Sequence, residues 1–270
     1  MADAAWKGSG TIGRAPLFGL RAAVLIAVLG FWHLGGRLGF LDPFFFATPI
    51  DVIARTWTDL GTVDIYRHLW ITTIETLLAF AIGTIGGIAV GFWLGLAPLA
   101  SLVFDPYIKA ANALPRVVLA PIFALWLGLG IWSKVALGVS LVFFIVFFNV
   151  YQGIKEVSPV VLANARMLGA SRRQLLRAVY LPSALSWVFS SLHTAVGFAL
   201  VGAVVGEYLG SAAGLGYRIH QAEGVFDTVG VFSGMLILTI FVILVDAGVS
   251  FVENRFLVWR PDAGGRPDAA

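Results

Sequence analysis

The chain has 270 residues, 59% of them hydrophobic and 12% charged. A soluble domain of this length carries about twice that charged fraction, so the composition excludes an ordinary soluble enzyme and indicates a polytopic membrane protein. The formal charge of +3 does not signal nucleic-acid binding, because Lys and Arg gather in particular loops and there report membrane topology. With no cysteine, disulfides and thiolate metal sites are excluded.

Lys7, Arg14 and Arg21 precede an apolar run with no small-residue cleavage site after it, which reads as a retained first span rather than a cleaved signal. That span is expected over 22–40, with His33 and Arg37 near its far end. Residues 41–69 read as a loop, with Asp42, Asp51, Asp59 and Asp64 against Arg55 and Arg67. Pro43 and Pro49 bracket Phe44, Phe45 and Phe46, a cluster suited to a membrane interface.

Span two is expected over 69–96, with Glu75 its only ionisable residue. Gly83, Gly87, Gly91 and Gly95 recur at every fourth position, extended backwards by Ala79. Small residues at that spacing let another helix backbone approach closely. General helix packing is the plainer account, and packing beside a translocation path is the functional one. Pro98 and Pro106 are read as helix breaks before an inner loop over 105–115. Span three follows over 117–133, short and kinked at Pro121, with Lys134 in a tight outer turn.

Span four covers 135–153 and carries Phe143, Phe144, Phe147 and Phe148, with Asn149 as a lone polar residue near its inner end. Span five covers 184–207, with His193 inside and glycines at 202, 206 and 210. A polar segment from Glu207 to Asp227 contains Gly-Ser-Ala-Ala-Gly-Leu-Gly, which lacks the Lys-Ser/Thr of a phosphate loop and reads as a flexible turn. Span six covers 229–251, with Asp246 near its inner end.

Between spans four and five lies the most informative stretch, Ser158 to Pro182. Ser158 is an N-cap candidate and Pro159 suits the first helical position. Val161, Leu162, Ala165 and Leu168 give a short apolar face. Gly169 can take the left-handed conformation that ends a helix. Ser171 and Gln174 form a capping-box pair for a second helix, with Leu175, Leu176 and Val179 on its apolar side. The element also carries Arg166, Arg172, Arg173 and Arg177. From Lys155 to Pro182 the only acid is Glu156. The Lys/Arg bias therefore puts this loop and both tails in the cytoplasm.

Catalytic patterns are scarce. There is no His-Glu-x-x-His pair, and His33, His68, His193 and His220 are scattered. No cofactor is expected. Without a nucleotide loop the chain does not hydrolyse ATP, so any pumping draws on another subunit. Glu75 and Asp246 are the intramembrane carboxylates, costly at the bilayer centre unless paired or hydrated. Each reads as reaching an interface or capping a neighbouring helix, with a pore or gate role as the alternative. His193 reads as a hydrogen-bonded packing residue and Asn149 as interhelical glue. Glu75, Asn149 and Glu207 are the pathway or gate candidates. A secondary transporter would show midplane ionisable residues and an inverted repeat, and neither is visible. An intramembrane enzyme would need a nucleophile–base or metal constellation.

The spacing around Gly169 resembles the cytoplasmic signature of ABC importer permeases. That signature is Glu-Ala-Ala, three residues, Gly, nine residues, Ile, one residue, Leu-Pro. Here Gly169 is followed by nine residues and Val179-Tyr180-Leu181-Pro182, and the three-residue head falls on Ala163, Asn164 and Ala165. The leading Glu is replaced by Ala163. The resemblance extends from about His68 to Trp259 and is nearest the nitrate, sulfonate, taurine and bicarbonate branch. It is carried further by Ala113-Leu114-Pro115, Leu125-Trp126-Leu127-Gly128 with Ser133-Lys134, Gly206-Glu207 followed by Gly214-Leu215-Gly216, Asp246, Glu253 and Trp259.

The resemblance implies an all-α, polytopic, type I importer-like permease with six transmembrane helices. It implies a cytoplasmic tail over 1–21, a permease domain over 22–257 with its coupling element at 155–182, and a cytoplasmic tail over 258–270. Ala163, Asn164, Ala165, Gly169, Ala170, Arg172, Arg173, Leu181 and Pro182 would contact a cytoplasmic ATPase. The other implied partners are a periplasmic or extracellular binding protein and a second copy in a homodimer.

Overall fold

The computed structural model describes residues 14–42 and 44–256. Residues 1–13, Pro43 and 257–270, with Lys7, Trp259 and the outer part of the two expected tails, lie outside the described residues. The described chain is all-helical. Its helices are α1 (Arg14–Arg37), α2 (Pro49–Leu60), α3 (Val63–Leu96), α4 (Pro98–Ala113), α5 (Ala120–Leu127) and α6 (Ile131–Lys155). They continue as α7 (Pro159–Met167), α8 (Arg172–Leu175), α9 (Leu181–Leu209), α10 (Leu215–Gly224) and α11 (Thr228–Phe256). A 3-10 turn, Arg116–Leu119, leads into α5, and a π-turn, Leu176–Tyr180, joins α8 to α9.

Among the described residues, α1, α3, α6, α9 and α11 contain segments long and apolar enough to cross a membrane. A sixth crossing exists if α4 and the segment Arg116–Leu127, bent by 82° at their junction, form one broken span. Span three, expected as a short segment over 117–133 kinked at Pro121, is therefore corrected in its bounds: its helix ends at Leu127, and the sharp bend lies before Arg116. Gly128, at φ +76, ends α5 after Leu127. Pro121 sits in the first turn of α5, where it needs no kink. Pro106 does not break its helix but lies inside α4, as membrane helices tolerate when neighbours or local adjustment satisfy the freed carbonyl. The expected loop over 41–69 contains α2 and the first two turns of α3. Helix α2 is capped by Thr48, whose hydroxyl accepts from the Asp51 N–H.

The centre of the domain is α6, packed between α3 and α9. The every-fourth glycines of α3 explain how the first pair meets. Cβ atoms added at Gly83, Gly91 and Gly95 would lie 2.7, 2.8 and 3.0 Å from Cβ of Val142, Val150 and Ile154, and one at Gly87 would lie 2.9 Å from Cβ of Val146. Each glycine thus receives a branched side chain of α6, and the series runs in register over four turns. Ala79 continues it onto Gly138. Gly138 also meets α9, where Gly202 abuts its backbone, and Gly206 makes room for the aliphatic stem of Lys134. The buried core is correspondingly small-residue rich, with Ala79, Ala184, Ala195 and Ala199 beside Val142, Val146 and Val150. Dispersion and close backbone approach hold such a core in lipid, where apolar transfer gives little drive.

Candidate functional site

Two sites occupy opposite ends of this three-helix core. At one end, α9 finishes and the chain turns through residues 210–214 into α10. Glu207, in the last turns of α9, is fully buried. The Thr72 hydroxyl of α3 donates to its Oε1 at 2.6 Å, and the Gly216 N–H donates to its Oε2 at 2.7 Å. The Leu215 N–H donates to Thr72 Oγ1 at 3.0 Å, and the Gly214 N–H donates to Nδ1 of His68 at 2.9 Å. Three successive backbone donors at the start of α10 are thereby satisfied by three side chains from α3 and α9. This meets the requirement that the first turn of a helix find outside acceptors.

Gly214 has φ +112, and any Cβ there would strike the Glu207 carboxylate; one at Gly216 would strike the Val204 carbonyl. The Gly-Leu-Gly sequence is therefore a tightly fitted clamp. The flexible turn expected from its composition is corrected, because the buried carboxylate that fixes it lies outside the glycine-rich stretch.

The same level of the core holds two further charged residues. Glu75, one turn after Thr72 on α3, is 1% exposed, and its Oε2 has no hydrogen-bond partner. Glu75 does not reach an interface, as its place near the span end suggested. It lies buried with Glu207 and Lys134 as its nearest charges. Lys134 is not in a turn. It belongs to the first turn of α6, is fully buried, and donates through Nζ to the carbonyls of Leu129 at 2.5 Å and Gly130 at 3.0 Å. Asn149, the remaining pathway candidate, is less than two turns before the far end of α6 and donates to its own helix at the Ile145 carbonyl, 2.8 Å away. It is not brought together with the two glutamates. Asp246 meets Nε2 of His193 at 3.0 Å, which joins α11 to α9.

Beside the clamp, α2 and α11 are tied to α10 through Asp59. Its Oδ1 accepts from Arg218 at 2.7 Å and from Nε of Arg55 at 3.3 Å, and its Oδ2 accepts from Ser233 at 3.1 Å. The hub is not visible in the sequence, where Arg55, Asp59 and Arg218 read only as loop charges and Ser233 falls within an apolar span.

The second site is the 155–182 element at the other end of α6 and α9. Pro159 occupies the first turn of α7, but Ser158 makes no side-chain capping bond. Helix α7 ends in a Schellman arrangement. The Ala170 N–H donates to the Ala165 carbonyl at 3.0 Å, the Gly169 N–H donates to that of Arg166 at 2.9 Å, and Gly169 has φ +80. Ala165 of the signature head thus supplies one of the two carbonyls that the bend closes on, and Arg166 the other. The Leu168 N–H donates to Asn164 in the same turn, at 3.1 Å. Ser171 and Gln174 form the expected capping box, each bonding the other's backbone N–H at 2.8 and 3.4 Å.

The bend presents Met167 and Leu168 at 85% and 88% exposure, with Val160 and Val161 also exposed on α7. Arg172 and Arg173 open α8 beside them. Leu181 and Pro182 form the first turn of α9, which runs on directly from the π-turn. The element is anchored by Ser183, whose hydroxyl donates to the Gly153 carbonyl at 2.9 Å, and by Leu175, which is buried.

These features define a polytopic α-helical membrane protein with a clamped loop at one end of its core and an unpartnered, arginine-flanked bend at the other. The family described as the binding-protein-dependent transport system inner membrane component matches residues 65–258, and the chain belongs to that family. It is thus the permease subunit of an ABC importer in the inner membrane, not itself the ATPase. Systems of this family work with a separate ATPase and a solute-binding protein.

The chain is 34% identical over 229 residues to the formylaminopyrimidine transport permease protein ThiX of Halalkalibacterium halodurans, covering 85% of this chain and 91% of that one. It is 30% identical to the putative aliphatic sulfonates transport permease protein SsuC of Bacillus subtilis, covering 89% and 86%. The fold is similar to that of the MetNI methionine ABC transporter solved in an inward-facing conformation. The TM-score is 0.59 at 19% identity, over 72% of this chain and 94% of that one.

Proposed function

We propose that the chain forms half of a solute path and receives mechanical work from an ATPase docked on the 155–182 element. The observation that carries this reading is the bend at Gly169. Bulky apolar side chains stand exposed there, on a backbone fixed by a Schellman motif and a capping box, with two arginines alongside. A rigid apolar knob rimmed by cations suits a groove with acidic edges on a soluble partner. In this reading Ala163, Asn164, Ala165, Gly169 and Ala170 shape the knob, Arg172 and Arg173 face the partner, and Leu181 and Pro182 pass the displacement into α9. With alanine at 163, docking rests on packing and arginines rather than on a glutamate.

The Lys/Arg bias of this element supports a cytoplasmic position for it and for both tails, 1–21 and 258–270, around a membrane domain over 22–257. The Glu207 end then faces the binding protein. The reading includes a homodimer, which is supported by the exposure of Leu99, Leu102, Leu125 and Trp126 on the broken pair α4–α5, apolar surface that a second copy would cover.

The solute is proposed to be a small organic anion such as a sulfonate or taurine, or an inorganic one such as nitrate or bicarbonate. The sulfonate relative supports this choice, and the formylaminopyrimidine relative makes a neutral heterocycle the second reading. Lys134 is already bound to two carbonyls, so specificity rests chiefly with the binding protein. The ligand retained by the purified partner binding protein decides between the two solutes. The coupling role is tested by co-purification. If no ATPase accompanies the protein, and Gly169→Arg leaves both assembly and uptake intact, the reading fails.

A further inference from the structure

Arg116 opens the 3-10 turn at the 82° bend between α4 and α5. Its guanidinium carbon lies 4.4 Å from the centroid of the Phe144 ring, close enough for the ring face to hold a cation. Phe144 is one residue past the middle of α6 (Ile131–Lys155), a helix long and apolar enough to cross the membrane. The ring therefore fixes Arg116 near the middle of the crossing. Among the described residues, the hydrogen bonds of the guanidinium both run from Nη2 to Asn112, one to its side-chain oxygen and one to its carbonyl at 3.1 Å. Nε is shielded without a partner, Nη1 is unbonded, and no ion pair forms among the described residues. Phe144 and Asn112 thus orient the cation without neutralising it. An arginine at this depth is costly, and such residues face a bundle interior or a water-filled cavity. The backbone gives a second, independent indication. Non-helical backbone at membrane depth persists only where protein covers it or where it lines water, and Leu114, Val117 and Val118 of the bend are exposed. One aqueous path beside the bend accounts for both.

We propose that Arg116 is an anion-binding site in the solute path, where its unbonded Nη1 receives an oxyanion such as a sulfonate or carboxylate. The inference rests on the transport reading above and names the group within it that selects charge. Arginine keeps its charge, and with no acid beside it that charge is free to act on a passing solute. The binding protein chooses among solutes, and Arg116 makes the passage itself favour anions.

The chain has no cysteine, so a single thiol at Val117, exposed next to Arg116, reports the charge felt there. The probes are a sulfonate-bearing and a trimethylammonium-bearing ethyl methanethiosulfonate, each rate divided by its rate with free 2-mercaptoethanol. Labelling of Val117→Cys is read in lipid nanodiscs, on the full chain purified with whatever subunits accompany it. The anionic probe is expected to react faster than the cationic one by roughly tenfold. Adding Arg116→Gln should abolish that preference, and Arg116→Lys should restore most of it. No reaction with either probe shows that the bend meets no water and overturns the proposal. A ratio without anionic preference while Arg116 is present overturns it too, the result expected if a carboxylate of a second copy covers the guanidinium. That measurement needs no substitution at position 116. A preference that survives Arg116→Gln overturns it equally. The transport reading is judged separately. A flat ratio in a complex that retains its ATPase, with a binding protein that retains an anion, removes the site at Arg116 and leaves that reading standing.

Discussion

The hydroxyl of Thr72 and the carboxylate of Glu207 meet at 2.6 Å across 135 positions of sequence. Thr72 is bound on both sides, since its oxygen also accepts the Leu215 N–H. Replacing Thr72 with valine keeps the shape and removes both bonds. It leaves a buried N–H without an acceptor and a buried carboxylate oxygen without a donor. Each such loss costs about 1–3 kcal/mol. The expected outcome for Thr72→Val is exchange of the 214–216 amides faster by one to two orders of magnitude, read by hydrogen–deuterium exchange, with uptake reduced. Unchanged exchange at those amides would show that the clamp does not depend on this contact.

The glycine ladder makes a contrasting pair of predictions. A Cβ at Gly87 would lie 2.8 Å from the Phe143 carbonyl and 3.0 Å from the Phe147 amide nitrogen, both backbone atoms that cannot swing aside. Gly87→Ala should therefore force α3 and α6 apart at a cost of about 1–3 kcal/mol. Gly197, also within a helix, has nothing within 4 Å of an added Cβ. There the same substitution gains helix propensity of about 0.8–1 kcal/mol. Thermal unfolding in detergent should drop for Gly87→Ala and hold or rise for Gly197→Ala. Equal responses would mean that the ladder does not set the helix spacing.

Local patterns were legible wherever their partners were also local or periodic. The spacing of Gly83, Gly87, Gly91 and Gly95 announced a close helix contact, though the matching Val142, Val146 and Val150 carry no mark in an apolar span. Gly169 and the Ser171–Gln174 box were readable because all their bonds fall within a few residues. The clamp was not, because His68 and Thr72 are separated from their partners by 135 to 146 positions. Its only sequence sign was a lone Glu just before a glycine-rich turn. Lys134 lies in the first turn of α6 and not in a loop, because the apolar run over 117–133 reads as one crossing and the next polar residue then reads as its exit. The apolar composition there cannot distinguish an unbroken span from a helix that folds back. Helix α2 was hidden by its charges, which serve the Asp59 hub rather than solvent.

That hub supports a third prediction. Asp59 is the single carboxylate shared by Arg55, Arg218 and Ser233, linking α2, α10 and α11. Asp59→Asn keeps the size and removes the charge, leaving the half-buried Arg218 with only the distant Asp64 at 3.9 Å. The loss should be about 1–3 kcal/mol, the range for hydrogen bonds to charged groups discounted for partial exposure. A double-mutant cycle with Arg218→Gln measures the coupling directly. Additive effects of the two substitutions on unfolding would contradict a shared hub.

Gly169 permits the sharpest separation of shape from contact. Its φ is +80, and nothing lies within 4 Å of an added Cβ, so a substitution there meets no steric obstacle within the chain. The penalty is purely conformational. Left-handed backbone costs an L-residue about 1–2 kcal/mol, with asparagine tolerated and β-branched residues disfavoured. Gly169→Asn should therefore keep the Schellman bend and couple ATP hydrolysis to uptake almost normally. Gly169→Val should distort the bend that carries Met167 and Leu168. The expected result is ATPase turnover in reconstituted vesicles with uptake per ATP lowered several-fold, while the spans still assemble. If valine and asparagine behave alike, the positive φ at residue 169 is not what transmits the work. The bend would then act only as a spacer between α7 and α8.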